Sequence, residues 1–196
     1  MAWLVIDGYE DEPAAFGVPP YVGFHVRYVC GVLESRNLDY DYVTIDDWRL
    51  KRRPDLSNCD GIIIIAGAVV PGKYLRGTPV SLRETDELLR TLPRKPPLFA
   101  GGWAIRGWRQ QGWMPLRHNL FLCVQDTDAT LEHFLASGDF AHRRRTASQW
   151  TLWAGAGANS KAVTEHPDLG GPLTYAVAAY PGCVRYKHGC KFCIRT

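Results

Sequence analysis

Six residues in the first half of the chain constrain the fold more than any others. They read Gly61-Ile62-Ile63-Ile64-Ile65-Ala66, a continuous and mostly β-branched run without polar alternation. Successive strand residues point to opposite faces of a sheet, so a strand that is apolar at every position has both faces covered. This pattern is typical of a central strand in a parallel sheet. The run therefore predicts a buried parallel strand.

Four further stretches predict strands, and helices are predicted between them. The strands are expected at residues 2–6, 40–45, 97–100 and 120–124, and the helices at residues 22–35, 81–91, 129–137 and 147–153. Ser81 and Glu84 have the spacing of a capping box at the start of one helix. Strand and helix alternating about five times predict an α/β fold, a parallel sheet with helices on both faces. The size favours the flavodoxin-like strand order.

Glycines follow the carboxyl ends of the predicted strands. Ligands in open α/β sheets bind at that edge, and glycine lets the backbone approach a ligand closely. The turns that connect strands to helices also need glycine for their own geometry, which leaves a structural explanation open for each one. The candidate cofactor-binding residues at this edge are Asp7, Gly8, Gly67, Gly72, Gly101 and Gly102.

Composition and charge narrow the classes of function. The net charge of +3 is too small to indicate a nucleic-acid partner. The basic run at residues 142–145 is interpreted as a solvated helix start or a domain-interface patch. No apolar stretch approaches the roughly eighteen residues of a membrane helix, and Met1 leads directly into a short apolar run without a signal-peptide pattern. Trp103, Trp108 and Trp113 fit neither helical nor strand periodicity and are expected in a loop that covers the sheet.

The six cysteines fall into two groups. Cys30, Cys59 and Cys123 are scattered through apolar contexts and are expected to be ordinary buried thiols of a reduced, cytoplasmic protein. The other three cluster near the end of the chain as Cys183, Cys190 and Cys193, separated by six residues and then by two. Three thiolates suit an iron–sulfur cluster with one iron left open, or a zinc site that lacks a ligand. Zinc completed by His188, and a tail without a ligand, remain alternatives.

The residues around these cysteines carry a family resemblance. A strand-like stretch at residues 172–178 runs into Tyr180-Pro181-Gly182-Cys183 and then into Cys190-Lys191-Phe192-Cys193. The stretch resembles the first strand and cluster loop of radical S-adenosylmethionine (radical SAM) enzymes, with six residues in a gap that usually has three. The resemblance implies that the cysteines hold a [4Fe–4S] cluster whose fourth iron binds S-adenosylmethionine. It also implies a cofactor-binding role for Phe192, since an aromatic residue there is typical.

The first half of the chain has a second resemblance. Its motifs are Asp-Gly-Tyr at residues 7–9, Gly-Val-Pro-Pro-Tyr at 17–21, Pro-Gly-Lys-Tyr-Leu at 71–75 and His-Pro-Asp at 166–168. They resemble archaeal-type proteins that fuse a cobalamin-binding-like domain to a radical SAM domain. This implies a cobalamin-binding-like domain at residues 1–140, a linker at 141–171, and the start of a radical SAM domain at 172–196 whose barrel is missing.

Cobalamin itself is less strongly implied than the fold. Many corrinoid proteins carry Asp-x-His-x-x-Gly after the first strand, and this chain has no histidine there. His25 is the nearest histidine and is expected to be a helix-surface or core residue. If cobalamin binds, the resemblance implies that Gly101 and Gly102 cradle its nucleotide tail.

These observations give one leading expectation and two alternatives. The leading expectation is the N-terminal part of a radical SAM enzyme that cleaves S-adenosylmethionine to start radical chemistry, with methyl transfer if a corrinoid is present. On this view the 196-residue chain alone is inactive and its substrate is unknown. The first alternative is a free-standing α/β module that binds a corrinoid or nucleotide-like ligand, with a vestigial or zinc-binding cysteine tail. The second is a flavodoxin-like electron carrier, which the lack of a Ser/Thr-rich first loop disfavours.

Overall fold

The computed structural model describes residues 2–9, 23–67 and 79–165 of the chain. Five strands in this part form one parallel sheet in the order β2-β1-β3-β4-β5. The strands are β1 (Ala2–Asp7), β2 (Tyr40–Thr44), β3 (Cys59–Ile65), β4 (Leu98–Gly101) and β5 (Leu120–Leu122). This is the flavodoxin-like order that the size of the chain favours, so the predicted parallel α/β sheet is confirmed.

Helices cover both faces of the sheet. They are α1 (Phe24–Ser35), α2 (Ile45–Arg49), α3 (Leu82–Thr91), α4 (Trp103–Gln110), α5 (Thr127–Ser137), α6 (Ala147–Gly157) and α7 (Lys161–Thr164). The core on one face includes side chains of α2, α3 and α4, and the core on the other includes side chains of α1, α5, α6 and α7. The sheet lies between the two cores, which confirms the predicted arrangement of helices on both faces.

The position of β3 between the two cores explains why its sequence does not alternate between apolar and polar residues. Ile62 and Ile64 pack into the core beneath α2, α3 and α4, whereas Ile63 and Ile65 pack into the core beneath α1, α5 and α6. All four side chains are completely buried. A strand that supplies two apolar cores has no position at which a polar side chain would reach water.

Three helices were not predicted: α2, α4 and the short α7. Helix α2 lies in the polar segment after β2 and begins with a capping box between Thr44 and Asp47. Helix α4 contains Trp103 and Trp108, which the sequence placed in a loop. Their spacing misled the prediction because the tryptophans do not share a face. Trp103 packs against His25, whereas Trp108 packs edge-to-face on Trp113, which lies beyond the end of the helix.

The predicted linker at residues 141–171 differs from the structure. Its described portion contains α6 and α7, and α6 packs against α1. Trp153 is 1% exposed and belongs to the core. Gly31 and Gly157 let the two helices cross closely, because a Cβ at either position would meet the backbone of the other helix. Gly157 in this segment therefore serves a helix crossing, and the α/β unit extends at least to residue 165.

Part of the sequence interpretation lies outside the described residues. The predictions that lie outside the described residues concern Gly72, Phe192 and the cysteines at positions 183, 190 and 193. The predicted start of the radical SAM domain at residues 172–196 lies outside them as well. In the described ranges, every helix is too short or too polar to span a bilayer.

Candidate functional site

The carboxyl ends of β1 and β3 form the edge at which this strand order places a ligand crevice. The chain leaves these two neighbouring strands in opposite directions, which is the switch point of a doubly wound sheet. The backbone N–H of Gly8 donates to the carbonyl of Ile65 at 2.8 Å, and the carbonyl of Gly8 accepts from the N–H of Val80 at 2.8 Å. A Cβ on Gly8 would lie 2.5 Å from the Ile65 oxygen and from a methyl of Val80. Gly8 is therefore required by the protein's own packing.

Gly101 and Gly102, at the end of β4, are also enclosed by protein atoms. A Cβ on Gly101 would overlap the Thr127 side chain, and one on Gly102 would overlap the backbone of Ala66. Gly102 has a φ of 95°, which disfavours side chains with a Cβ. Gly67 is buried directly after β3. Thr127 and Ala66 thus occupy the space that a side chain would need at Gly101 and Gly102.

Asp7 lies at the end of β1 with its carboxyl group enclosed. Its two oxygens accept hydrogen bonds from the Tyr42 hydroxyl at 2.7 Å and from the backbone N–H of Tyr9 at 2.9 Å. Burial raises the pKa of Asp7 to about 6. The two hydrogen bonds and the positive charge of Arg27 lower this pKa and so oppose part of the rise. Tyr9 has a φ of 60°, an uncommon conformation for an aromatic residue. The edge thus contains an acid that changes charge close to neutral pH.

A second polar group lies where β5 leads into α5. The Arg145 side chain is 2% exposed, and its guanidinium contacts Asp128 at 3.2 Å and Asp126 at 3.3 Å. The guanidinium also lies over the rings of Tyr28 at 4.7 Å and Trp150 at 4.1 Å. Burial raises the pKa of Asp128 to about 7, and the attraction of Arg145 opposes that rise. These contacts join the segment before α6 to α1 and α5.

His25 sits between this group and α4. Its side chain is half-buried, packs edge-to-face on Trp103 with ring centroids 5.6 Å apart, and has Nδ1 3.5 Å from an Arg145 nitrogen. These contacts match the predicted structural role of His25 on the helix. Among the described residues, no group of three or more His, Cys, Asp or Glu side chains is arranged to hold a metal ion.

Sequence reasoning missed the partners of these buried charges. Tyr42 lies opposite Val5 in the pairing of β1 with β2, which brings its hydroxyl to Asp7. Strand pairing would have revealed this neighbour only once β2 was placed beside β1. Arg143 and Arg144 are exposed before α6 as predicted, but Arg145 is buried against two aspartates at the start of α5.

A cavity of about 210 Å³ lies at the opposite, amino edge of the sheet, lined by residues 2–4, 41 and 55–59. Ligand pockets for cofactor-sized molecules have volumes of roughly 300 Å³ or more. The cavity is therefore too small for such a ligand, and it lies away from the edge at which open α/β sheets bind ligands.

Two archaeal proteins are similar to this chain along nearly its whole length. An uncharacterized protein of Methanocaldococcus jannaschii is 35% identical over 204 aligned residues, which cover 97% of this chain and 37% of that protein. An uncharacterized protein of Archaeoglobus fulgidus is 33% identical over 199 aligned residues, which cover 99% of this chain and 34% of that protein. The chain thus spans about a third of the length of the curated relatives it matches.

No family model matches the chain, and no solved structure matches it either. A functional hypothesis therefore depends on the sequence motifs and on the strand order of the sheet.

Proposed function

We propose that this chain is the N-terminal part of a radical SAM enzyme with a cobalamin-binding-like α/β domain, in which Cys183, Cys190 and Cys193 bind a [4Fe–4S] cluster. The observation that carries the proposal is the spacing of these three thiols after a domain of flavodoxin-like strand order. Three cysteines leave one iron of a four-iron cluster without a protein ligand. That iron is available to S-adenosylmethionine.

The other three cysteines are poor candidates for iron ligands. Burial raises the pKa of Cys30 to about 12 and holds the pKa of Cys123 well above its usual range. Cys59 donates its S–H to the carbonyl of Gly61 at 3.0 Å, and burial raises its pKa as well. The thiolate is the form that binds metal, so these three thiols are unsuited to compete for iron.

The length of the relatives is compatible with the proposal. Nearly two thirds of each relative lies outside the portion that matches this chain. That length leaves room for the barrel that binds substrate in radical SAM enzymes. We therefore expect the residues that bind the substrate and the reductant to lie in the longer protein, outside this chain.

The bound cluster supplies an electron for the reductive cleavage of S-adenosylmethionine, while the protein positions and shields the cofactor. Cys183, Cys190 and Cys193 would hold the iron as thiolates, and the α/β domain precedes them in the chain. If a corrinoid binds as well, the reaction proposed for the whole protein is methyl transfer.

Electron paramagnetic resonance tests whether one iron of the cluster lacks a protein ligand and binds S-adenosylmethionine. The chain is reconstituted with iron and sulfide without air and reduced, and spectra are recorded with and without S-adenosylmethionine. We expect a cluster signal that changes when S-adenosylmethionine is added, because that ligand alters the coordination of one iron. A Cys193→Ala variant should lose the signal, and a Cys59→Ala variant should retain it.

A cluster signal that is indifferent to S-adenosylmethionine would contradict the radical SAM assignment. Zinc in place of iron, with equal loss in Cys193→Ala, would favour the free-standing binding module with a zinc-binding tail. The experiment therefore separates the proposed function from its main alternative.

A further inference from the structure

The loop between α4 and β5 places apolar side chains in solvent at the amino edge of the sheet. Four consecutive apolar residues, Trp113 to Leu116, lie in this loop, and none of them is buried. Met114 is 69% exposed and Leu116 is completely exposed. A run of apolar residues outside the core indicates a function, since exposure to water offers no stabilisation. We term Met114, Pro115 and Leu116 the amino-edge tip.

Both ends of the amino-edge tip are fixed to the rest of the protein. On one side, the indole N–H of Trp113 donates to a carboxylate oxygen of Asp86 at 3.0 Å. On the other side, Nη1 of Arg117 donates to the carbonyls of Leu89 at 2.6 Å and Leu92 at 3.2 Å, at the end of α3. The tip therefore projects from a loop that is anchored before and after it.

The amino-edge tip lies in a strongly cationic part of the chain. Residues 88–125 contain no Asp or Glu, although the whole chain has a net charge of only +3. Their cations are Arg90, Arg94, Lys95, Arg106, Arg109 and Arg117. This stretch therefore contributes +6 to the net charge, and the remaining residues together contribute −3. An uneven distribution of this kind gives one region a positive potential that the net charge conceals.

Two of these cations are exposed beside the loop that carries the tip. Nδ2 of Asn119 donates to the carbonyl of Lys95 at 3.3 Å, so the loop before β4 runs along the loop before β5. Burial lowers the pKa of Arg117, and the charge of the nearby Arg94 lowers it further. Arg94 and Lys95 are both exposed, and neither forms an ion pair within the described ranges. They are therefore available to an anionic partner.

We propose that the amino-edge tip attaches this protein to the surface of an anionic lipid bilayer. Met114 and Leu116 enter the boundary between headgroups and acyl chains, and Arg94 and Lys95 bind the lipid phosphates. Attachment at the surface needs no membrane-spanning helix. The inference rests on described residues and not on the cysteines near the end of the chain. Its failure is therefore distinguishable from failure of the proposed function.

The shape and chemistry of the tip favour lipid over other anionic partners. A completely exposed leucine on a projecting loop needs an apolar layer that can close around it, and a bilayer offers such a layer below its charged headgroups. Nucleic acid offers phosphates, but its backbone has no apolar layer for an aliphatic side chain. A protein partner would need an apolar groove bordered by carboxylates in matching positions.

Co-sedimentation of the 196-residue chain with lipid vesicles tests this attachment. We expect binding to vesicles that contain phosphatidylglycerol, weaker binding as salt is raised, and little binding to phosphatidylcholine alone. Leu116→Gln should lower the affinity for the anionic vesicles about tenfold, because a leucine side chain is no longer buried in the apolar layer. Failure of the wild-type chain to bind anionic vesicles would overturn the proposal.

Leu50→Gln is a stringent control for the leucine substitution. Leu50 is 63% exposed and is followed by Lys51, Arg52 and Arg53. Two of these cations already have partners, since Arg52 lies 3.7 Å from an oxygen of Asp47 and Arg53 lies over a tryptophan ring of α2. We expect Leu50→Gln to bind vesicles like wild type. Equal weakening in Leu50→Gln and Leu116→Gln would show that the tip has no special role and would overturn the proposal.

A matched pair of charge substitutions tests the contribution of the headgroups. We expect Arg94→Gln to lower the affinity for anionic vesicles about fivefold. Arg83→Gln is the control, because Arg83 is exposed in the first turn of α3, at the opposite end of that helix. Equal effects of the two substitutions would overturn the proposal. A change of oligomeric state in Leu116→Gln without vesicles would also overturn it, because a second copy would then cover the tip. So would displacement of the chain from vesicles by RNA that binds Leu116→Gln and wild type equally.

Discussion

The carboxyl group of Asp7 is enclosed at the end of β1, and burial raises its pKa from an ordinary value of 3.8 to about 6. Because the folded state raises this pKa, it favours the protonated acid. The resulting stabilisation is fully present below pH 3.8 and is lost as the pH rises through 6. A rise in pKa of this size corresponds to about 3 kcal/mol in the free energy of unfolding.

Replacement of Asp7 by asparagine removes this titration. Between about pH 4 and pH 8 we expect the free energy of unfolding of Asp7→Asn to shift by about 3 kcal/mol relative to wild type, in favour of the variant at high pH. Urea denaturation across this range measures the shift. Asp41→Asn is the control, because Asp41 is exposed on the neighbouring strand. A parallel pH dependence in wild type and Asp7→Asn would contradict the buried-acid description.

Gly102 combines a positive φ with a crowded Cβ position. We expect Gly102→Ala to lower the free energy of unfolding by about 2 kcal/mol or more, through backbone strain and overlap with Ala66. Gly112→Ala is a matched control, since Gly112 has a φ of 88° but open space at its Cβ position among the described residues. The control should lose only the strain component. Equal losses would show that the contact with Ala66 contributes nothing.

The positions of these glycines could be predicted from the sequence, but their cause could not. Turns after parallel strands place glycine at the carboxyl edge, and a sequence alone does not distinguish an approach to a ligand from an approach to Thr127 or Ala66. The hydroxyl of Tyr42 and the guanidinium of Arg145 were missed for a related reason. Their partners are distant in sequence, at Asp7 and Asp128.

At the scale of elements, α6 is the helix whose role differs most from expectation. We expect a chain that ends at residue 140 to lose cooperative unfolding or to become strongly destabilised, because it lacks Trp153 and uncovers α1. A chain that ends at residue 165 should retain a single cooperative transition in urea. Circular dichroism on both chains measures this. A fully stable 140-residue chain would restore the predicted linker boundary.

The strands were predicted within two residues because a buried parallel strand leaves a continuous apolar signal, most clearly in β3. The helices that were missed have weaker signals. Helix α2 is only five residues long and carries two aspartates, and the tryptophans around α4 pack in different directions. Short helices such as α2, which depend on a capping box and the buried side chains of Ile45 and Trp48, are set by tertiary contacts more than by periodicity.

At the scale of the whole molecule, the strand order brings Asp7 and the ends of β1 and β3 to one edge. The size of the chain was the observation that favoured that order. The chemistry was predicted from three cysteines and the residues around them, which lie outside the described residues. The fold is therefore observed in the described residues, whereas the proposed chemistry depends on a sequence motif outside them. Measuring the metal bound to the purified chain tests the proposed chemistry.

The most direct measurement is an anaerobic absorbance spectrum with iron, zinc and cobalt counted per chain, on wild type, Cys190→Ala and the control Cys59→Ala. The proposed function predicts a broad visible band and about four iron atoms per chain in wild type and Cys59→Ala, both lost in Cys190→Ala. Folded wild-type protein that contains zinc alone, or no metal, would contradict the assignment of Cys183, Cys190 and Cys193 as ligands of an iron–sulfur cluster.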